Sequence, residues 1–117
     1  MNNMDYPKRG QIWLSALDPA KGHEIKKTRS ALIISQDMNN KFAPTLTLIP
    51  MTSKIGKVFI YEMEISKEES GLSKNSKFKC NQIRTVDKNR LIKHLSTISE
   101  EKMKEVENAL LIHLGMY

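Results

Sequence analysis

Short apolar runs separated by polar, turn-rich segments organise this chain. "QIWLSALDP" sets Ile12, Leu14 and Ala16 against Gln11, Trp13 and Ser15 and stops at the turn formers Asp18 and Pro19, the period-two pattern of a half-buried strand. "SALIIS" from Ser30 is a continuous β-branched run of the kind a central strand carries. "TLTLIPMTS" from Thr45 and "VFIYEMEI" from Val58 read as strands too, and "KNSKFKCNQI" from Lys74 alternates more weakly, which makes about five strands. Between them lie the basic segment Lys21 to Thr28, the single helical turn expected of "QDMNNKF", and the polar loop "SKEESGLSKNS". "TVDKNRLIKHL" fits a short helix or a strand.

Near the C-terminus the period changes to that of a helix. Met103, Val106, Leu110, Leu111 and Leu114 recur at three- and four-residue steps, Ser99 precedes Glu100 and Glu101 as a cap before acids in the positive first turn, and Gly115 stands where the helix should stop. The stripe must pack on the sheet or on a partner subunit. Several short strands followed by one amphipathic helix predict a mainly β fold with α, a strongly curved antiparallel sheet or small barrel with a helix against it. With 117 residues, residues 1–117 are expected to form a single domain.

Charge adds a partner class to this picture. Nineteen Lys and Arg stand against 13 Asp and Glu, for a net charge of +6, which favours an anionic partner. The signs are also segregated: between Lys74 and Lys93 Asp87 is the only acid, whereas eight of the 13 acids fall in Glu62–Glu69 and Glu100–Glu107, so one face is expected to be basic. The lone Cys80 forms no internal disulfide and reads as a small buried hydrophobe. "MNNMDYPKRG" has no apolar signal core, and no apolar run approaches the roughly 18 residues that span a bilayer, so a cytoplasmic protein without membrane partners is expected.

The chemistry-bearing residues narrow the choice. His23, His94 and His113 are far apart, Cys80 is alone, and neither H-E-x-x-H nor C-x-x-C occurs, so no metal site is expected; the five glycines form no nucleotide-binding loop, so no cofactor is expected either. Metal-free cleavage of RNA fits what remains, because the ribose 2′-OH is itself the nucleophile. The protein then supplies a base for the 2′-OH proton, an acid for the leaving 5′-oxygen, and fixed donors for the phosphorane, each worth on the order of 3–4 kcal/mol. Arg29 has the planar cationic fork suited to phosphate, and Thr52 has a hydroxyl at a strand end.

The blocks "RGQIWLSALDPAKGHE", "TRSALIISQDMNNK", "LIPMTSK" and "NQIRTVDKNRL", in this order and spacing, resemble those of the MazF/PemK toxin endoribonucleases, Kid included, from about Arg9 to the C-terminal helix. The resemblance implies a small Src-homology-3-like barrel shared with CcdB, a homodimer, metal-independent cleavage of single-stranded RNA or mRNA to a 2′,3′-cyclic phosphate and a 5′-OH, and neutralisation by a cognate MazE/PemI-like antitoxin. It places Arg29 and Thr52 at the family's catalytic positions and makes His23 and Glu24 of "GHE" candidates, with the general base left open between them. Lys26, Lys27, Thr28, Ser53, Lys54, Lys57 and Lys79 are then RNA contacts, and Asn81 and Gln82 base-edge readers, since amides pair with unstacked bases.

The chain departs from the family pattern at Ile25 and Ser30, and at Asn81, where an acid is usual; Lys79 and Asn81 replace the arginine and aspartate that flank the cysteine in Kid-like members. Two other readings therefore remain at this point: a barrel of the same fold that binds RNA without cutting it, and a CcdB-like gyrase inhibitor.

Overall fold

The structure, a computed structural model, describes residues 5–17 and 28–117. It contains β1 Gln11–Ala16, β2 Thr28–Ile33, α1 Asp37–Phe42, β3 Thr45–Thr52, β4 Glu62–Ile65, α2 Lys67–Ser70, β5 Ser76–Lys79, β6 Arg84–Asp87, β7 Leu91–Thr97 and α3 Glu100–Leu114, with 3₁₀ turns at Cys80–Gln82 and Lys88–Arg90. The strands form an antiparallel sheet in the order β4-β5-β3-β2-β1-β7, and β6 joins it on β3.

β3 is the hub. Its first half pairs with β6 from Thr45 to Leu48, its last two residues pair with β5, and Leu48 to Pro50 pair with β2, so the sheet bends sharply where one neighbour hands over to the next. Alternation along the strands gives each face its own apolar cluster. Ile12, Leu32, Ile49, Met51, Ile65 and Phe78 pack on one side with Met103, Val106 and Ala109 of α3, and Ala31, Ile33, Leu46, Leu48 and Val86 pack on the other. This is the expected curved β architecture with a helix against it. Among the described residues no ladder joins β4 to β7; there Ser96 Oγ of β7 donates to the Ser70 carbonyl, and Gly71, at φ +76°, lies so close that an added Cβ would stand 3.0 Å from that of Ser96.

Several details differ from the sequence reading. Seven strands are present among the described residues rather than about five, because "TVDKNRLIKHL" is neither one helix nor one strand: the Asp87 carboxylate accepts from Asn89 N–H at 3.0 Å, and this local turn breaks the segment between β6 and β7. "VFIYEMEI" becomes strand only from Glu62. Glu62 N–H closes a turn on the Phe59 carbonyl at 2.8 Å, which leaves Phe59 and Ile60 exposed instead of in a sheet face. "SKEESGLSKNS" holds α2, capped by Ser66, within the expected loop.

Bulges in the β1–β7 pairing shift the alternation, so Ser15 is fully buried while Leu14 is only half-buried. The helix is capped by Ser99 and ended by Gly115 as expected, but its buried residues are Met103, Val106 and Ala109, with Leu111 and Leu114 exposed. Ala109 is too small to stand out in a hydrophobic pattern, yet it gives the close approach that seats the helix.

Candidate active-site groove

β2 and β3 bring the two leading candidates together. The β2–β3 register pairs Ala31 with Pro50, Leu32 with Ile49 and Ile33 with Leu48. Arg29 lies two residues beyond Ala31 and Thr52 two residues beyond Pro50, at the same end of the strand pair. Two residues 23 positions apart in sequence thus come to the same end of two neighbouring core strands.

Both line a groove of about 640 Å³. Three cations, Arg29, Lys54 and Lys74, line it with no carboxylate among the described lining residues, together with the hydroxyls of Thr28, Ser30, Thr52, Ser53, Ser73 and Ser76. Leu14, Met51, Leu72 and Leu95 supply the apolar part. A cleft lined by one sign of charge on low-dielectric walls concentrates anions, and its mixture of cations, hydroxyls and aliphatic surface suits a phosphate chain carrying bases.

The Thr52 hydroxyl keeps its proton available for donation. Its Oγ1 accepts from Lys54 N–H at 3.1 Å, so a lone pair is occupied and the proton remains to be given to a ligand oxygen. The same bond fixes the start of the loop that carries Lys54 into the groove.

Of the residues singled out in the sequence, Thr28, Arg29, Thr52, Ser53 and Lys54 line the groove. His23, Glu24, Lys26 and Lys27 lie outside the described residues. Lys57, Lys79, Asn81 and Gln82 are described but do not line it. Lys57 sits over the Phe59 ring at 5.0 Å, Lys79 lies across from Glu62 in the β4–β5 ladder, and Asn81 and Gln82 are exposed in the 3₁₀ turn after β5.

Sequence reasoning missed the opposite wall, Ser73, Lys74 and Ser76. The lysine and serines of a polar loop carry no periodic signal. They are placed by α2: Lys67 N–H donates to Asn75 Oδ1 at 2.8 Å, and Glu69 pairs with Lys102 of α3 at 3.0 Å.

Cys80 is fully buried, with its thiol against the Val106 carbonyl. Burial first, and the Glu62 carboxylate second, push its pKa up to about 12. Folded protein should therefore give almost no reaction with a thiol reagent at pH 8, and one equivalent should appear on denaturation.

Residues 8–114 match the family described as PemK-like, MazF-like toxin of type II toxin-antitoxin system. The chain belongs to this family. It is 41% identical over 111 residues to the endoribonuclease MazF of Staphylococcus saprophyticus, covering 94% of this chain and 92% of that protein. Crystal structures of Deinococcus radiodurans MazF and of its MazE–MazF complex match with TM-scores of 0.77 and 0.77 at 25% and 26% identity. They cover 96% and 95% of this chain and 99% and 97% of theirs. A mycobacterial endoribonuclease in complex with its cognate antitoxin shares the fold, with a TM-score of 0.79 at 20% identity over 95% of this chain and 97% of that one. No helix among the described residues is long and apolar enough to cross a membrane.

Proposed function

We infer that this chain, a toxin endoribonuclease of the MazF/PemK family, cuts single-stranded RNA in the groove between Arg29 and Thr52, leaving a 2′,3′-cyclic phosphate and a 5′-OH. The observation that carries the reading is that Arg29 of β2 and Thr52 of β3 line one groove together with two further cations and with no carboxylate among its described lining residues. The phosphate of the scissile bond lies between them. As the 2′-oxygen attacks phosphorus, charge builds on the non-bridging oxygens; Arg29 offers its fork to them and Thr52 donates one hydrogen bond, interactions that strengthen in the transition state. Glu24 or His23, from the segment preceding β2, takes the 2′-OH proton, and the leaving 5′-oxygen is protonated as the P–O bond breaks.

Lys54, Lys57 and Lys79, with Lys26 and Lys27, hold flanking phosphates, while Thr28, Ser53, Asn81 and Gln82 contact RNA beside the cut. The active form is a cytoplasmic homodimer whose interface uses the apolar residues that α3 leaves exposed, Leu111 and Leu114 among them. Its antitoxin, a counterpart of the MazE that is paired with MazF in the Deinococcus structure, inhibits by laying an acidic segment in the cationic groove.

Incubation with a long single-stranded RNA in excess chelator tests the reading. Discrete fragments ending in 2′,3′-cyclic phosphate and 5′-OH are expected; RNA that is bound but left intact would convert the chain to a binding module. Thr52→Val, which keeps the β-branch and removes the hydroxyl, should lower kcat by about a hundredfold, whereas Thr52→Ser should stay within about threefold. Equal loss in both variants would remove the hydroxyl from the mechanism.

A further inference from the structure

A buried ion pair joins β4 to β5, beside the groove-lining Ser76 in sequence. Lys77 of β5 is paired in the ladder with Thr52 of β3, and its ammonium donates to Glu62 Oε1 at 2.8 Å; the two side chains are only 8% and 3% exposed. Neither residue lines the groove. Buried ion pairs are poor stabilisers in general, since desolvation offsets their attraction and an apolar pair of similar volume is often as good. What Glu62 and Lys77 provide, and an apolar pair cannot, is a set of hydrogen bonds to the loop backbone.

Lys77 Nζ also donates to the Lys57 carbonyl at 2.9 Å, and Glu62 Oε1 accepts from Phe59 N–H at 3.1 Å. The loop leaving Thr52 is thus gripped at both ends. Thr52 Oγ1 holds Lys54 N–H at its start, and the buried pair holds Lys57 and Phe59 at its far side. Stacking of Phe59 on Tyr61, with ring centroids 5.4 Å apart, stiffens the same stretch. The segment so held carries Lys54, which lines the groove, and Lys57.

We propose that Glu62 and Lys77 are positioning residues for the RNA reaction: they set the conformation of the 53–61 loop, and through it the capture of RNA, without touching substrate. This rests on the assignment of the groove to RNA. Because Arg29 is held by backbone pairing of β2 with β1 and Thr52 by backbone pairing of β3 with β5, and neither by the side chains of Glu62 and Lys77, loss of the ion pair should act on substrate binding and leave the chemical step nearly intact.

The test is the double variant Glu62→Leu/Lys77→Met, which replaces the pair by apolar groups of similar volume and leaves no buried charge unmatched. Thermal unfolding, steady-state cleavage of a single-stranded oligonucleotide and hydrogen exchange at the Phe59 amide are measured beside the wild type. Expected are a cooperative melt like that of the wild type, KM raised about tenfold with kcat within about threefold, and faster exchange at Phe59. Wild-type KM and wild-type exchange in a folded double variant would overturn the proposal.

If the double variant fails to fold, Glu62→Gln, which keeps an oxygen for the Phe59 N–H, is read by the same split: KM raised less than tenfold but measurably supports the proposal, and a pure kcat loss refutes it. A wild type that binds the oligonucleotide without cutting would instead count against the catalytic reading. The loop assignment would then be decided by the Kd of the double variant, a weaker Kd with faster exchange supporting it and an unchanged Kd refuting it.

Discussion

Arg29→Ala is expected to lower kcat on single-stranded RNA by at least about a hundredfold while the protein melts as the wild type does. The size follows from the role: a cation placed where charge develops contributes more to the transition state than to the ground state, and alanine leaves nothing there to replace it. Stability is spared because Arg29 is exposed at the open end of β2, above a core formed by Ala31, Leu32 and Ile33. Arg29→Lys should recover only part of the loss, since an ammonium keeps the charge but not the two parallel N–H bonds of the fork. Cleavage rates on one oligonucleotide, with melting curves alongside, check both statements.

Lys77→Met, made alone, has the largest expected effect on stability, a loss of about 3–5 kcal/mol, because it leaves the Glu62 carboxylate buried without its partner. For a chain of this size that corresponds to a fall in Tm on the order of 10–20 °C. Burial of Glu62 disfavours its charged form, but the Lys77 hydrogen bond, the Phe59 N–H and the charges of Lys77 and Lys79 outweigh this and hold its pKa below the ordinary 4.5. A depressed native pKa contributes stability that is present above the unfolded-state value and is lost as pH falls through the native one. The wild type should accordingly lose this contribution below about pH 4.5, and Lys77→Met should not show that loss. Denaturation curves from pH 7 to pH 3 measure it. The double variant should melt near the wild type and well above Lys77→Met, since only the single variant strands a charge.

Much of this molecule was legible in its sequence, and the gaps have physical reasons. Ser99, Gly115 and the spacing of Met103 and Val106 announced α3, because caps and period act locally. The runs around Leu32 and Ile49 announced the central strands for the same reason. Arg29 and Thr52 stood out by family resemblance, and the fold brings both to the lining of one groove; neither residue's own neighbours in sequence could have said so. Lys77 escaped notice because an isolated lysine in "KNSKFKC" looks solvated, and only the return of β4 beside β5 brings Glu62 to it. "VFIY" read as strand because exposed aromatic and β-branched residues in a hydrogen-bonded turn have the same composition as a sheet face. Leu14 was assigned to the core by alternation, and two bulges that no local pattern encodes turned it toward the groove. The opposite wall around Lys74 depends on α2 docking against α3, a long-range contact.

A double-mutant cycle on Arg29 and Thr52 tests the central claim most directly, since the claim is that the two act on one phosphate. Cleavage of a single-stranded oligonucleotide is measured for the wild type, Arg29→Ala, Thr52→Val and the double variant. If both side chains hold the same phosphorane, their losses are not independent, and the double variant falls little below Arg29→Ala alone. Losses that multiply in full, or an Arg29→Ala protein that cuts at the wild-type rate, would contradict the account.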